Sequence, residues 1–148
     1  MTDNKLVLAY IGNGKSANRY HIPFVLQRKD KFAVKTIFSP RIHHDVWVRL
    51  DGVYYTENVE DVFGDPEIDL VVVSTQLGLH YEYTKRALES GKHCLCEKPF
   101  METKAQAQEM VDFFSPSSSY LYGHGCHTLD QVISYFGKPN GIRYDVKP

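Results

Sequence analysis

The chain has 148 residues, enough to bury the hydrophobic core of one domain. Hydrophobic residues make up 43% and charged residues 24%, which is ordinary for a soluble globular protein. The net charge of -1 gives no indication of nucleic acid or of an anionic membrane as a partner, and we expect neither.

Two features of the chain bear on its cellular compartment. The start, MTDNKLVLAYIG, holds a short apolar run that ends at Gly12, too short for a signal peptide or a membrane span. The three cysteines, Cys94, Cys96 and Cys126, are sparse and odd in number, which is unlike a secreted disulfide framework. We therefore expect a cytoplasmic protein, in which Cys94 and Cys96 are thiols packed on one face of a strand.

Strand and helix signals alternate along the first three quarters of the chain. Strands are predicted at KLVLAYI (5–11), FAVKTIF (32–38), VYYT (53–56), IDLVVVST (68–75) and HCLCE (93–97). Helices are predicted at RYHIPFVLQRKD (19–30), NVEDVFGD (58–65), HYEYTKRALESGK (80–92) and TKAQAQEMVDFF (103–114). This alternation predicts an α/β fold of Rossmann type, a doubly wound parallel sheet with helices on both faces.

Local signals mark the ends of several of these helices. Pro23 implies a break in the first helix or a late start, because proline lacks the backbone N–H. Asn58 is placed to cap the second helix, and Gly91 to end the third. Thr103 and Gln106 have the spacing of a capping box for the fourth. The fourth helix also carries an apolar stripe at helical spacing, formed by Ala107, Met110, Val111 and Phe114.

The alternation stops at residues 115–119, SPSSS, a linker-like stretch in which no element is predicted. Beyond it, HTLDQVISYFG (127–137) predicts one more amphipathic helix, ended by Gly137 and Pro139. Its apolar stripe is Leu129, Val132, Ile133 and Phe136, and its polar stripe is His127, Asp130, Gln131 and Ser134.

The stretch YIGNGKSANRYH places two glycines between the first strand and a helix. This is the G-x-G-x-x-G/A arrangement, in which the first glycine permits the tight turn and the second lets the backbone approach a pyrophosphate. The small third residue lets the helix pack on the strand, and the helix N-terminus offers N–H groups to the anion. We expect five residues here to bind a dinucleotide: Gly12, Gly14, Lys15, Ser16 and Ala17.

The same turn is compatible with two other interpretations. The letters GKS resemble a nucleoside-triphosphate P-loop, but that motif requires glycine where this chain has Ala9, so it is excluded. A glycine-rich turn without a ligand, found in any α/β protein, stays open.

The end of the second strand bears on the choice between NAD and NADP. An acidic residue there would bind the ribose 2′-hydroxyl of NAD. The sequence instead reads FSPRIHH, with Ser39 and Arg41 and no carboxylate. Because an arginine can accommodate a 2′-phosphate, we expect Ser39 and Arg41 at the cofactor and favour NADP over NAD. The alternative is that Arg41 is a solvated loop residue.

The stretch GKHCLCEKPF ends a strand with Glu97, Lys98 and Pro99. Ligands of open α/β sheets bind beyond the carboxyl ends of the strands, where this lysine is expected. Its ammonium could hydrogen-bond an alcohol or carbonyl oxygen and stabilise its charge during hydride transfer. Pro99 favours extended geometry before it and is compatible with an unusual peptide conformation. An exposed lysine before a loop proline is the ordinary alternative.

Three stretches in this order resemble the Gfo/Idh/MocA oxidoreductases, relatives of glucose–fructose oxidoreductase and inositol dehydrogenase. They are GNGKSANRYH, STQLGLHYEYTKRALESGKHCLCEKPF and LYGHGCHTLDQVISYFGKP, and the Glu-Lys-Pro strand end is the most specific part. The resemblance covers residues 5–114 and 119–148. It implies an NAD(P)-binding Rossmann domain over residues 1–118 and a fragment of an α/β substrate-binding domain over residues 119–148.

The resemblance also implies roles for single residues. Lys98 would be the catalytic lysine, which touches both the nicotinamide ribose and the substrate oxygen. Glu97 would line the cofactor, with His80 nearby. The strand end that lines the cofactor would be Ser74, Thr75 and Gln76. STQL departs from the Thr-Pro-Asn-like residues common in the family, which leaves the contact of Gln76 open.

A second catalytic residue, His127, is implied as the one that exchanges a proton with the substrate hydroxyl. Histidine suits this step because it titrates near neutral pH, and Asp130 at i+3 would orient it. The family usually has an aspartate one turn earlier, where this chain has Gly123, and we do not expect His124 to compensate. A zinc site would need a second pair of ligands, which HGCH lacks, so we expect no metal.

Part of the family's fold is missing from this sequence. The chain passes from the helix ending at Phe114 almost directly into the helix of His127. It therefore lacks a strand of the nucleotide-binding sheet and most of the substrate domain. Either this is a short product, or it is part of a longer chain with residues missing at the Ser-rich junction. The second explanation is favoured because the pieces join at linker-like residues.

The resulting hypothesis is an NAD(P)-dependent oxidoreductase that transfers a hydride between nicotinamide and a secondary alcohol or carbonyl of a sugar, cyclitol or related polyol. Its partner is then a small-molecule substrate, and a homo-oligomer is expected if the full substrate domain is present. The alternative is a non-catalytic dinucleotide-binding module, or a truncated remnant of such an enzyme, to which Gly123 and the missing domain point.

Overall fold

A computed structural model describes residues 5–113 of the chain, with side chains described through residue 110. The strands in that range are β1 (Leu6–Ile11), β2 (Phe32–Phe38), β3 (Tyr54–Thr56), β4 (Leu70–Val73) and β5 (His93–Cys96). They form one sheet in the order β3-β2-β1-β4-β5, and every pairing is parallel. Each strand lies within a stretch predicted from the sequence, and the predicted Rossmann-type α/β fold is confirmed.

The helices in the described range are α1 (Ile22–Leu26), α2 (Glu60–Phe63), α3 (His80–Glu89) and α4 (Lys104–Phe113). A π-helical segment, Ser16–His21, runs directly into α1. Pro23 lies in the first turn of α1, where the π-helical segment passes into α-helix, which agrees with the break or late start predicted from it. The sequence does not predict the π-helical turn, which has no distinct local pattern.

Three of the helix-end signals predicted from the sequence are present in the structure. Asn58 Oδ1 accepts the Glu60 N–H at 3.2 Å, one residue before the assigned N-cap of α2. Gly91 follows α3 with φ of 74°, a conformation that favours glycine at a helix end. Thr103 Oγ1 accepts the Gln106 N–H and Gln106 Oε1 accepts the Thr103 N–H, both at 3.2 Å, which confirms the capping box.

Two hydrophobic clusters cover the two faces of the sheet. One combines Ala9, Ile11, Val71 and Val73 with Ala87 of α3, and the other combines Leu8, Tyr10, Ile37 and Val72 with Ala17 and Ile22 of the helical segment after β1. Alternate residues of β1 and β4 therefore face opposite sides, and both central strands are buried. Burying one such Val or Ile side chain contributes about 1.5–3 kcal/mol. This packing holds the carboxyl ends of the strands in place.

No helix between residues 5 and 113 is long and apolar enough to cross a membrane. The predicted helix at 127–137 and the predicted domain boundary after residue 118 lie outside the described residues.

Candidate cofactor and catalytic site

The carboxyl ends of β1, β4 and β5 meet at one edge of the sheet, where Gly12, Ser74 and Glu97 follow the three strands. Backbone pairing continues one residue past the strands. The Ser74 N–H donates to the Ile11 carbonyl and the Glu97 N–H to the Val73 carbonyl, both at 2.9 Å. Because the strand order reverses between β1 and β4, this edge is the switch point at which open α/β sheets bind ligands.

Gly12 is required at the turn after β1 for two reasons. Its φ is 108°, which side chains rarely adopt, and a Cβ would lie 2.6 Å from the Ser74 carbonyl oxygen. The backbone N–H of Gly12 donates to the Phe38 carbonyl at 2.8 Å, and Ser74 Oγ donates to the Gly12 carbonyl at 3.2 Å. The first glycine of the motif therefore packs directly on the strand end after β4.

The second glycine is in a different position, because a Cβ on Gly14 would meet no atom within 4 Å. Lys15 next to it is exposed, Ser16 is half-buried, and Ala17 is fully buried in the core. No side chain caps the start of the helical segment at Lys15. The open space at Gly14 thus adjoins the first turn of a helix, which is the setting that a pyrophosphate requires.

A small network of side-chain hydrogen bonds stabilises this turn. Asn18 Nδ2 donates to the Gly14 carbonyl at 3.0 Å and lies 2.9 Å from Asn13 Oδ1. Asn13 is buried, and its Nδ2 donates to Asp45 Oδ2 at 2.9 Å. Asn13 and Asp45 are 32 residues apart, and neither is predicted from the sequence as part of the site. Only the unassigned middle position of G-N-G could have drawn attention to Asn13.

The residues predicted to select the cofactor lie just beyond β2. Ser39 is buried, and its Oγ accepts the Arg41 backbone N–H at a long 3.5 Å, so its side chain serves its own turn. Arg41 is exposed. Asp45 brings a carboxylate to the glycine turn from the same loop, although no acidic residue directly follows the strand.

The strand end after β4 holds the other residues predicted to line the cofactor. Ser74 is buried against Gly12, Thr75 is half-buried and Gln76 is exposed. His80 is 1% exposed, with Nδ1 at 2.8 Å from the Pro99 carbonyl and Nε2 at 3.2 Å from the Thr75 carbonyl. His80 therefore lies behind the site and connects its two loops.

Glu97 is held at both carboxylate oxygens. His21 Nε2 lies 2.6 Å from Oε1, and the Lys98 backbone N–H donates to Oε2 at 3.0 Å. Burial raises the pKa of the Glu97 carboxyl, but the hydrogen bonds from His21 and from the Lys98 backbone outweigh it and leave the pKa below its ordinary value. His21 is not predicted from the sequence as a site residue, because its only local pattern is its place in a predicted helix.

Lys98 itself is exposed at the edge of the sheet, and the Lys98–Pro99 peptide bond is cis. The expectation of an unusual peptide conformation at Pro99 is confirmed. The lysine side chain is thus presented on the same edge as Gly12 and Ser74.

The cysteines of β5 do not belong to this site. Burial raises the pKa of the Cys94 thiol and raises that of Cys96 to about 12, so both are protonated at neutral pH. Both pack on the core cluster that contains Ala87, as predicted.

Among residues 5–113, no group of three or more His, Cys, Asp or Glu side chains could hold a metal ion. The predicted catalytic His127 and its neighbours Gly123, His124 and Asp130 lie outside the described residues.

The glycine turn and the switch-point edge define a dinucleotide-binding Rossmann fold. The family model described as an oxidoreductase family with an NAD-binding Rossmann fold, GFO_IDH_MocA, matches residues 6–122. The chain therefore belongs to the Gfo/Idh/MocA family, and the resemblance inferred from its motifs is confirmed.

The relatives of this chain include proteins of known and unknown activity. The uncharacterized oxidoreductase YhhX of Escherichia coli is 33% identical over 94% of this chain and 56% of its own length. Its crystal structure has a TM-score of 0.70, covering 90% of this chain and 55% of that one. The scyllo-inositol 2-dehydrogenase (NADP(+)) IolW of Bacillus subtilis is 31% identical over 68% of this chain and 31% of its own length.

A further structural relative is KijD10, a 3-ketoreductase from Actinomadura kijaniata, solved in complex with NADP and TDP-benzene. It has a TM-score of 0.67 and 27% identity, covering 74% of this chain and 34% of that one. This chain spans about half the length of YhhX. The match to YhhX also extends over 193 residues, more than the 148 of this chain, so YhhX carries internal residues that this chain lacks.

Proposed function

We propose that this chain binds a nicotinamide dinucleotide along the carboxyl ends of β1, β4 and β5. It then forms the cofactor half of an oxidoreductase that transfers a hydride between nicotinamide and a secondary alcohol or carbonyl of a sugar, cyclitol or related polyol. The observation that carries the proposal is the placement of the Gly12–Gly14 turn and Lys98 on one edge of the sheet, at its switch point.

The contrast between the two glycines supports a ligand at this turn. The space beside Gly12 is occupied by the Ser74 carbonyl, whereas the space beside Gly14 contains no protein atom within 4 Å. A pyrophosphate could approach the backbone there and accept hydrogen bonds from the backbone N–H groups of residues 14–17. Ser16 follows Gly14 by two residues, and its half-buried hydroxyl could donate one more hydrogen bond to the phosphates. The residues present therefore fit the phosphates of the cofactor.

The chemistry of the site is divided between the cofactor and the chain. The bound nicotinamide would supply or accept the hydride. The Lys98 ammonium would donate a hydrogen bond to the substrate oxygen and stabilise the charge that develops on it. His127 would take or return the hydroxyl proton, a role that rests on the family resemblance alone. Gln76, which is exposed at the same edge, remains a proposed contact of the cofactor.

The preference between the two cofactors depends on the loop after β2. Arg41 is exposed and could pair with a 2′-phosphate, whereas the Asp45 carboxylate beside Asn13 would repel one. Asp45 is hydrogen-bonded to Asn13 of the glycine turn and lies well past the end of β2, not at the strand end where an acidic residue binds the ribose 2′-hydroxyl of NAD. We therefore keep NADP as the favoured cofactor, in line with the relatives whose names contain it.

A second function, a cofactor-binding module without catalysis, is favoured by the residues that this chain lacks relative to YhhX. The match to IolW spans 100 residues and 68% of this chain, so it needs no sizeable gap, unlike the match to YhhX. We infer that the residues lacking relative to YhhX belong at the Ser-rich junction, 115–119. Their loss would remove part of the substrate pocket but leave the described cofactor edge intact.

Fluorescence titration with NADPH and NADH tests cofactor binding directly. We expect saturable binding of both and a lower Kd for NADPH. A lower Kd for NADH would overturn the assignment of Arg41 and point to Asp45. If neither nucleotide binds, the interpretation that remains is a glycine-rich turn without a ligand, as found in any α/β protein.

Turnover with scyllo-inositol and a panel of sugars and polyols separates the enzyme from the non-catalytic module. In an active protein, Lys98→Met is expected to lower kcat by about 100-fold or more, because one donor to the developing charge is lost. The Kd for NADPH should change little. Lys29→Met, which removes an exposed lysine far from the edge in sequence, is the matched control. Unchanged turnover in Lys98→Met would remove this lysine from the mechanism.

A further inference from the structure

We propose that His21 and Glu97 act as a positioning pair, which fixes the catalytic lysine relative to the segment that binds the cofactor phosphates. This inference rests on the proposed function and deepens it. It assigns Glu97 a role toward Lys98, in addition to any contact with the cofactor, and it assigns His21 a role for the first time.

The geometry leaves the Glu97 carboxylate little freedom. One oxygen is 2.6 Å from His21 Nε2, and the other accepts the Lys98 backbone N–H at 3.0 Å. Each of the two side chains is only 19% exposed. Because both oxygens are used, a rotation of the carboxylate would break one of the two bonds. The orientation of the Lys98 backbone is therefore tied to the position of His21.

His21 is in turn fixed by its surroundings. It is the last residue of the π-helical segment that starts at Ser16, and the next residue, Ile22, is buried in the core. The ring of Tyr10, itself fully buried in β1, lies edge-on to the His21 ring with centroids 6.3 Å apart. A displacement of the imidazole would therefore disturb packed side chains.

The pair connects parts of the chain that are 76 residues apart. The segment that carries His21 also carries Ser16 and Ala17 of the phosphate turn, and Glu97 immediately precedes Lys98. A nucleotide bound at the turn would thus be held in register with the lysine that acts at its nicotinamide end. A lysine left without this connection would still carry its charge but would present it less accurately.

The groups facing Glu97 favour its ionised form. His21 and the Lys98 backbone donate to it, and Lys98 adds a positive charge. The neighbouring Cys96 thiol is neutral, since burial raises its pKa to about 12. Burial likewise raises the pKa of the Tyr10 hydroxyl, so this side chain is neutral as well. No second carboxylate among these neighbours competes for His21.

Three variants separate positioning from simple support of the fold. His21→Phe keeps an aromatic ring beside Tyr10 but removes the donor to Glu97. His21→Gln restores an amide N–H that can reach the same oxygen. His93→Phe places the same substitution at an exposed histidine at the amino end of β5, away from the site, and is the matched control.

The first readout needs neither cofactor nor turnover. In His21→Phe, NMR titration should show a higher pKa for Glu97, and the Lys98 amide should exchange faster with solvent. Both should return toward wild type in His21→Gln, while His93→Phe should match wild type. An unchanged Lys98 amide in a folded His21→Phe protein would overturn the proposal. If the variant fails to fold, hydrogen exchange of the Lys98 amide in folded Glu97→Ala decides: faster exchange than in wild type supports the proposal, and unchanged exchange overturns it.

The second readout applies to the active protein. His21→Phe should lower kcat on the order of 10- to 100-fold, the cost of a misplaced catalytic group. KM for NADPH should change much less, and His21→Gln should recover most of the loss. An equal loss in kcat and in nucleotide affinity would indicate a structural role and overturn the proposal. If the wild-type chain has no turnover, the proposed reaction fails, while the NMR readout still decides whether the pair holds the Lys98 backbone.

Discussion

Gly12 and Gly14 meet different constraints although they lie two residues apart. Gly12 needs a positive φ and close contact with the Ser74 carbonyl, so its requirement comes from the protein itself. Gly14 has open space where its Cβ would be, so any requirement there comes from a ligand. Alanine substitutions at the two positions therefore distinguish folding from binding.

We expect Gly12→Ala to lower the free energy of unfolding by about 1–3 kcal/mol from backbone strain, with the contact to Ser74 adding to the loss. Gly14→Ala should leave that free energy within about 0.5 kcal/mol of wild type. It should still weaken NADPH binding about tenfold or more, which is about 1.4 kcal/mol. Urea unfolding and NADPH titration of both variants measure these effects. Full NADPH affinity in Gly14→Ala would place the phosphates elsewhere.

His80 illustrates how a residue can belong to a site without facing it. Its side chain is 1% exposed and lies within hydrogen-bond distance of two backbone carbonyls, one on each loop that flanks the lysine. The family resemblance places it near the cofactor, and its burial indicates how it would contribute. It would hold the Thr75 and Pro99 carbonyls at a fixed separation.

At the scale of elements, α4 shows how a local pattern specifies a helix start. Its first turn is closed by the reciprocal hydrogen bonds of Thr103 and Gln106, both visible as a spacing in the sequence. Met110 in its second turn is fully buried, which agrees with the predicted apolar stripe. The other end of the stripe, Val111 and Phe114, lies beyond the described side chains.

Thr103→Ala should therefore lower the free energy of unfolding by about 0.5–1 kcal/mol, because an N–H at the helix start loses its acceptor. Thr103→Ser keeps the hydroxyl and serves as the control, with an expected stability close to wild type. Urea unfolding followed by far-UV circular dichroism measures both. Equal losses in the two variants would mean that the threonine methyl, and not the cap, matters here.

The segment after β1 shows the limit of local patterns at this scale. Residues 16–26 are helical throughout, but the first six adopt a π-helical conformation. That conformation ends at His21, the residue that contacts Glu97. Helical composition alone does not distinguish π from α geometry, so the direction of His21 could not be read from the sequence.

At the scale of the molecule, the parallel sheet assembles the site from distant parts of the chain. Gly12, Ser74 and Glu97 are separated by tens of residues, and become neighbours because β4 lies between β1 and β5. Whether further residues lie between Phe114 and His127 decides between an enzyme and a binding module.

Mass spectrometry of a tryptic digest tests that question. Trypsin should release residues 105–143 as one peptide if the Ser-rich junction is joined directly to the stretch that contains His127, since Lys138 precedes a proline. Absence of this peptide, with others in its place, would show that residues lie between Phe114 and His127 beyond those of the sequence, and would favour the enzyme. Detection of the peptide 105–143 would instead favour the non-catalytic module.

The sequence by itself determined the features that depend on near neighbours. These include the strands of β-branched residues, the capping box of α4, the glycine turn after β1 and the Glu-Lys-Pro strand end. Each is a short-range pattern with one favoured local structure. The tertiary structure alone decided the pairings of His21 with Glu97, Asn13 with Asp45, and His80 with the carbonyls of Thr75 and Pro99. Except for His80 and Thr75, these partners are 19 to 76 residues apart, and only the packing of the sheet and its helices brings them within hydrogen-bond distance.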